Sequence, residues 1–280
     1  MPSDPSGVTE PSGVTVPAEA TGIVDVPGTP LRLAFRRRGA DVELEVEGSV
    51  DEGGRRAAAR AVADAVRSLA ARPALAGAEV HLAADHPAEA VDPLPEEVAD
   101  AAGLPHRRDL LQLRRPLPVP ADHPARDGAP ALAVRPFRPG ADDAAWLEVN
   151  NAAFAHHPDQ GRETPTTLAS RAAEPWFDPA GFLVADDPDR PGALAGFCWT
   201  KVHPAAGDEP ALGEIYVIGV HPSRHGAGLG AALVLAGLDH LAGLGLGDAM
   251  LYVDADNLPA RRLYTGLGFA IARRRRVYSR

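Results

Sequence analysis

A glycine-rich turn, Val220-His221-Pro222-Ser223-Arg224-His225-Gly226-Ala227-Gly228-Leu229-Gly230, separates two apolar runs. Leu212 to Val220 precedes it and Leu229 to Leu244 follows. Glycines at alternate positions let the main chain approach a ligand closely and turn successive amides toward one point. A helix beginning there adds the positive end of its dipole, so the junction suits an anion such as a pyrophosphate. No lysine follows the glycines, which excludes the Gly-Lys-Ser/Thr phosphate loop. The Gly-x-Gly-x-Gly spacing, late in the chain, is not the dinucleotide fingerprint either. On these residues alone, a flexible loop with packing glycines is an equal alternative.

Few other residues carry chemistry. One acid, Glu214, interrupts the apolar run 212–220. Lys201 is the single lysine among 28 Lys and Arg residues. Cys198 is the only cysteine, so no intrachain disulfide and no multi-cysteine zinc site can form. It falls mid-strand and reads as core. His221 and His225 are four apart, but Pro222 breaks the helical spacing of a metal pair and no third ligand follows, so no metal is expected. Arg273 to Arg276 alternate along a terminal strand and read as solvated edge charge.

These residues need a frame. A chain of 280 residues, 45% apolar and 24% charged, suggests two globular domains. A net charge of -10 disfavours coating of nucleic acid or an anionic membrane. No apolar run is long enough to cross a bilayer, and Met1 to Gly22 lacks the basic and apolar regions of a secretory signal. A cytoplasmic monomer is expected. Residues 1–22 read as a disordered arm. Leu31–Phe35 and Asp41–Val46 read as a hairpin, Arg55–Ala71 as an amphipathic helix, and Ala78–Ala83 as a strand. Pro95–Ala102 reads as a helix and Leu110–Leu113 as a strand. The proline-rich stretch 118–130 reads as a linker between domains at 23–117 and 131–280.

Beyond the linker, strands are expected at Ala131–Phe137, Gly181–Ala185, Leu194–Val202, Leu212–Val220, Ala249–Val253 and Phe269–Tyr278. Helices are expected at Asp142–Ala153, with Asp142 or Asp143 as cap, and at Pro165–Ala173, Leu229–Leu244 and Pro259–Leu267. The result is an α/β fold, a mixed sheet flanked by helices.

The glycine turn, followed by Asn257-Leu258-Pro259-Ala260-Arg261-Arg262-Leu263-Tyr264-Thr265-Gly266-Leu267-Gly268-Phe269, resembles the GNAT superfamily of acyl-CoA N-acyltransferases. His225, preceded by Arg224, stands where that pattern opens its loop with Gln or Arg. Further blocks resemble the mycothiol synthase family within it: Asn150-Asn151-Ala152-Ala153-Phe154, His157-Pro158-Asp159-Gln160-Gly161, Trp176-Phe177-Asp178-Pro179, Phe197 through Pro204, and Leu212 through Val220. That family is a tandem of two GNAT domains, the second catalytic. It acetylates the cysteinyl amine of cysteinyl-glucosaminyl-inositol, the last step of mycothiol assembly.

The resemblance implies Glu214 as base and Tyr264 as the acid that protonates the departing thiolate. It implies acetyl-CoA held by the main chain of Ile218, Gly219 and Val220, where the family's strand bulges. The loop His225, Gly226, Ala227, Gly228, Leu229, Gly230 and Ala231 would hold the pyrophosphate, and Asn257, Leu258, Pro259, Ala260, Arg261 and Arg262 would complete the cofactor site. Asp159, Lys201, Glu214 and Tyr252 match positions that contact the sugar–inositol substrate. In the first domain Asp51-Glu52-Gly53-Gly54-Arg55-Arg56 stands where a cofactor loop would sit, with acids and no alternating glycines, which implies a shortened, degenerate domain that binds acetyl-CoA poorly. Two further functions stay open: acetylation of another small amine or a protein N-terminus, and a non-catalytic acyl-CoA sensor.

Overall fold

The computed structural model describes residues 21–38, 41–71, 79–87, 92–130, 132–156, 161–207 and 209–279. In chain order they form β1 (Thr21–Asp25), β2 (Arg32–Arg38), β3 (Asp41–Glu47), α1 (Arg55–Ala70), β4 (Val80–Pro87), α2 (Leu94–Ala102), β5 (His106–Pro116), α3 (Pro124–Asp127), β6 (Arg135–Pro136), α4 (Asp143–Ala153), α5 (Pro165–Ala172), β7 (Phe182–Asp186), β8 (Leu194–His203), β9 (Leu212–Val220), α6 (Leu229–Gly243), β10 (Asp248–Asp254), α7 (Leu258–Gly266) and β11 (Ala270–Tyr278). They divide into two units. The first takes the described residues through Leu111 with Asp254–Asp256 and Ala272 onward; the second takes Gln112–Val253 and Asn257–Ile271.

In the first unit, β2 and β3 form the expected hairpin in unbroken register from Arg32↔Glu47 to Arg38↔Asp41. β1 adds antiparallel to β2. Thr21 and Gly22 therefore belong to a strand rather than to the arm expected over 1–22, the rest of which lies outside the described residues. β3 runs parallel to β4 from Val42↔Val80 to Glu45↔Ala83. The period-three-and-four apolar set of α1, Ala59, Val62, Val66 and Leu69, is buried as its spacing requires. It packs with Val98 of α2 against Leu33, Leu44 and Leu82 of the sheet.

β11 corrects one expectation. It pairs antiparallel with β4, from Arg273↔Pro87 to Tyr278↔Leu82, and has β5 as its other neighbour, so it is not an edge. Its arginines are ion-paired rather than freely solvated. Arg274 reaches Asp109 at 2.6 Å, Arg275 reaches Glu43 at 2.7 Å and Asp85 at 2.5 Å, and Arg276 reaches Glu96 at 3.3 Å.

In the second unit, β6, β7, β8 and β9 pair antiparallel in that order and β10 runs parallel to β9. The strand expected over Ala131–Phe137 shrinks to β6. The stretch expected as a linker falls within this unit, where Arg126 forks onto Asp239 of α6 at 2.5 and 2.9 Å. Trp146 of α4 lies edge-on to Phe182, Phe197 and Trp199, with centroids at 5.8, 5.6 and 5.9 Å, and Phe182 stacks on Trp199 at 4.3 Å. Each ring is fully buried, so truncating any one costs ~3–5 kcal/mol.

Asp142 does not cap α4 with its side chain. It is buried and accepts from Arg135 at 2.7 Å, from Arg138 Nη2 at 2.8 Å and from the Arg138 amide at 2.8 Å. Burial alone would raise its pKa, but the hydrogen bonds from Arg138 and Arg135 outweigh it and hold the carboxyl well below the usual range.

Candidate active site

The register of β8 on β9 runs Cys198↔Ile218 and Trp199↔Val217, then jumps to Thr200↔Ile215 and Lys201↔Glu214. Tyr216 is therefore the extra residue of a β-bulge. The family resemblance puts the bulge at Ile218 to Val220; those residues pair regularly with Cys198, Phe197 and Gly196, and the irregularity lies at Tyr216 instead. Its consequence is a change of face. A Cβ on Gly213 would lie 2.8 Å from Leu241, and one on Gly237 would lie 2.9 Å from Ile215, so residues 213 and 215 face α6. A Cβ on Gly219 would lie 3.3 Å from Ala153 of α4. Glu214, ahead of the bulge, and Val217 and Gly219, beyond it, thus share the α4 side.

The His221 amide bonds the Ala195 carbonyl at 2.9 Å. Bonded pairs alternate along an antiparallel ladder, so Gly219 also bonds across to β8, while the N–H and C=O of Ile218 and Val220 point the opposite way. On that side the recorded parallel register is Ala249↔Gly213 and Met250↔Glu214. Beyond Glu214 the strands part, and Ile218 and Val220 turn their backbone groups into the opening. His225 Nε2 meets the Val220 carbonyl at 3.1 Å.

Glu214 sits at the mouth of this fork, 7% exposed. Its Oε2 is 2.7 Å from His203 Nε2. Lys201 stands opposite Glu214 in the ladder, yet its ammonium lies over aromatic rings, 4.4 Å from the Trp176 centroid and 5.5 Å from that of Tyr216. Burial pushes the Tyr216 phenol pKa up, opposed by Arg171, whose guanidinium bonds Glu163 at 2.6 Å. Met250 pairs with Glu214, so Tyr252, two residues on, shares its face. The Tyr252 hydroxyl accepts from Gln112 at 2.7 Å, and Gln112 accepts from Arg114 at 2.9 Å.

The glycine turn is built as a cradle. Gly226 and Gly228 take φ of 80° and 75°, which side chains disfavour. Gly228 caps α6, whose first bond runs from the Ala232 amide to the Gly228 carbonyl at 3.3 Å. The amides of Leu229, Gly230 and Ala231 have no carbonyl a turn below them. Arg224 turns away: it bonds buried Asp187 and reaches Asp189 at 2.6 Å, and both raise its pKa. On α7, Asn257 is a cap, accepting from the Ala260 amide at 3.2 Å ahead of Pro259. Leu258 and Arg262 are exposed and Arg261 is half-buried on the first turn.

Tyr264 is buried against Phe269, ring centroids 5.9 Å apart. Burial, and secondarily Cys198, raises its pKa, so the hydroxyl keeps its proton at any ordinary pH. Burial likewise pushes the Cys198 thiol up to about 12, consistent with core rather than nucleophile.

The fold thus brings Glu214, Lys201 and Tyr252 to one sheet face. Asp159 lies outside the described residues. His203, Trp176 and Tyr216 are the additional polar and aromatic neighbours. Strand alternation offered a signal for His203, which stands two residues from Lys201 and so on the same face.

Residues 146–269 match the Acetyltransferase (GNAT) family model. The matching stretch falls on the second unit. Among curated proteins it is similar to mycothiol acetyltransferases: 51% identical to that of Kocuria rhizophila over 63% of this chain and 59% of that one. The figures are 55%, 61% and 53% for Streptomyces coelicolor, and 50%, 73% and 64% for Frankia alni. The chain spans little more than half the length of the first two. Among solved structures, a GCN5-related N-acetyltransferase from Sphaerobacter thermophilus matches with TM-score 0.65 at 23% identity, over 89% of this chain and 76% of that one. A tandem GNAT protein from the clavulanic acid biosynthesis pathway matches with TM-score 0.53 at 22% identity, over 93% and 83%. Both likenesses are of fold. Among the described residues no helix is long and apolar enough to cross a membrane.

Proposed function

We propose that this protein transfers the acetyl group of acetyl-CoA to the cysteinyl amine of cysteinyl-glucosaminyl-inositol, completing mycothiol. The observation that carries the reading is the fork at Glu214, which sets a buried carboxylate beside strand amides that face away from β8 and upstream of a glycine-capped helix start. The main chain from His225 to Ala231 would bind the pyrophosphate. The amides of Ile218 and Val220, turned into the fork, would hold the pantetheine arm and stabilise negative charge on the thioester oxygen. Asn257 to Arg262 would border the same cofactor, Asn257 by shaping the start of α7.

An α-amine of pKa about 7.7–8.0 arrives largely protonated at neutral pH. Glu214 accepts that proton, directly or through a water, and the freed nitrogen attacks the carbonyl carbon. As the carbon–sulfur bond breaks, Tyr264 gives its proton to the thiolate and recovers one from the former amine. The products are the amide, the free thiol of coenzyme A and one released proton. Lys201, Tyr252 and Asp159 would contact the hydroxyl-rich sugar and inositol, which need clustered donors and acceptors. No metal is needed in this scheme. The first unit is read as a scaffold without a cofactor site.

The test is thiol release from acetyl-CoA with cysteinyl-glucosaminyl-inositol as acceptor. Turnover with that amine is expected. Turnover with other amines alone overturns the substrate, and none with any amine overturns the acetyltransferase reading.

A further inference from the structure

The contact between His203 and Glu214 is unused by the mechanism above, and it joins a dry group to a wet one. The Glu214 side chain is 9% exposed and that of His203 is 36% exposed, with 2.7 Å between Oε2 and Nε2. Glu214 has two oxygens. His203 occupies one, which leaves Oε1 for an incoming amine or its water.

The surrounding charges do not compete for this place. Lys201, opposite Glu214, is drawn onto Trp176 and Tyr216. Arg171 is engaged by Glu163 at 2.6 Å. Glu174 lies within electrostatic range of Tyr216, and Tyr252 is bonded to Gln112. Among the described residues, the basic group that touches the Glu214 carboxylate is His203.

We propose that His203 is a positioning residue and proton outlet for Glu214, fixing the carboxylate rotamer and carrying the substrate's proton from the buried base to solvent. The inference rests on the acetyl-transfer reading. An ordinary carboxylate is acidic by several units relative to an α-amine, so a proton it accepts must move on quickly for the next turnover. An imidazole is the side chain whose ordinary range lies between the two. The proton balances with the imidazole hydrogen on Nδ1: one leaves the ammonium for the Glu214 carboxylate, the carboxyl turns that hydrogen toward His203 and passes it to the free Nε2, and the imidazolium gives its Nδ1 hydrogen to water.

The experiment compares wild type, His203→Gln and His203→Ala. His203→Gln keeps a hydrogen-bonding amide but cannot relay a proton. It is expected to lose about 10-fold in kcat with the KM for acetyl-CoA within twofold, and to flatten the rise of kcat/KM between about pH 6 and 8. Added imidazole should restore kcat to His203→Ala, a rescue that a packing role would not show. Unchanged kcat and pH profile in His203→Gln would overturn the proposal, as would failure of imidazole to rescue a folded His203→Ala. A second arm needs no turnover: the imidazole 15N resonances of His203, read in the free protein, should change in Glu214→Gln. If they do not, the pair is absent even where wild-type activity stands; if wild type turns over no amine, the acetyl-transfer reading fails on its own.

Discussion

The chain builds a parallel strand pair and a following helix twice, and the two copies differ where a cofactor would bind. In the first unit β3 leads through residues 48–54 into α1; in the second β9 leads through residues 221–228 into α6. β3 is unbroken against β2 and stays with β4 through Glu45↔Ala83. β9 bulges at Tyr216 and leaves β10 after Glu214↔Met250. The helix starts differ as well. The Gly54 amide, just ahead of α1, is taken by Asp51 Oδ1 at 2.8 Å, so a carboxylate of the chain already occupies the place an anion would take. At α6 the glycines carry no side chain into the cradle, and no acid stands in the first turn. One architecture thus carries an unbroken β2–β3 ladder in one copy and a bulged β8–β9 ladder in the other. The difference is made by a single inserted residue and by the chemistry of one turn.

The largest effect should come from the acid at the fork. Glu214→Gln is expected to lower kcat by ~10²–10³-fold, with coenzyme A affinity by calorimetry within twofold, because the amides proposed to hold the cofactor remain. Next is the support of α4. Asp142→Asn breaks a buried pair and should cost ~3–5 kcal/mol, read as loss of denaturant midpoint at neutral pH. The folded pKa of Asp142 is depressed, so its stabilisation is complete above the unfolded value of about 3.9 and is lost as pH falls below it. The variant should therefore show a shallower acid-unfolding curve in that window.

Gly226→Val tests the cradle: a side chain at φ of 80° costs ~1–2 kcal/mol and should weaken coenzyme A binding by about 10-fold. The matching change in the first unit sharpens the contrast. Asp51→Ala removes the bond to the Gly54 amide and should lower stability by ~1 kcal/mol, yet calorimetry should show no second coenzyme A site, because the β2–β3 ladder has no bulge. If a second site appears, the acid alone kept that unit closed. The smallest effect is expected at Glu45, whose pKa is raised by burial and, against the pull of Arg275, by Asp85, Glu43 and Glu47. An acid with a raised folded pKa weakens the fold above that pKa and not below the unfolded one. Glu45→Gln should thus raise Tm slightly at pH 7 and leave it unchanged near pH 4.

Much of this was legible in the residues. β9 spans the apolar run Leu212–Val220 from end to end, and α6 starts at Leu229 as the glycines require. Those signals are local, set by apolar period and by backbone freedom. The arginines of β11 and the acid Asp142 were misread because charge near a strand or helix end looks solvated until a partner from far along the chain is placed beside it. The bulge at Tyr216 was invisible for a related reason: it exists only as a mismatch between β8 and β9, and register is a property of two strands rather than one. By itself, then, the sequence determined most of the strands and helices, where the glycine turn meets α6 and that Glu214 lies on the strand before it. Only the tertiary structure decided that the strands part beside Glu214, that Lys201 rests on aromatic rings and that His203 touches Glu214, because each depends on side chains meeting across strands whose alignment no single segment encodes.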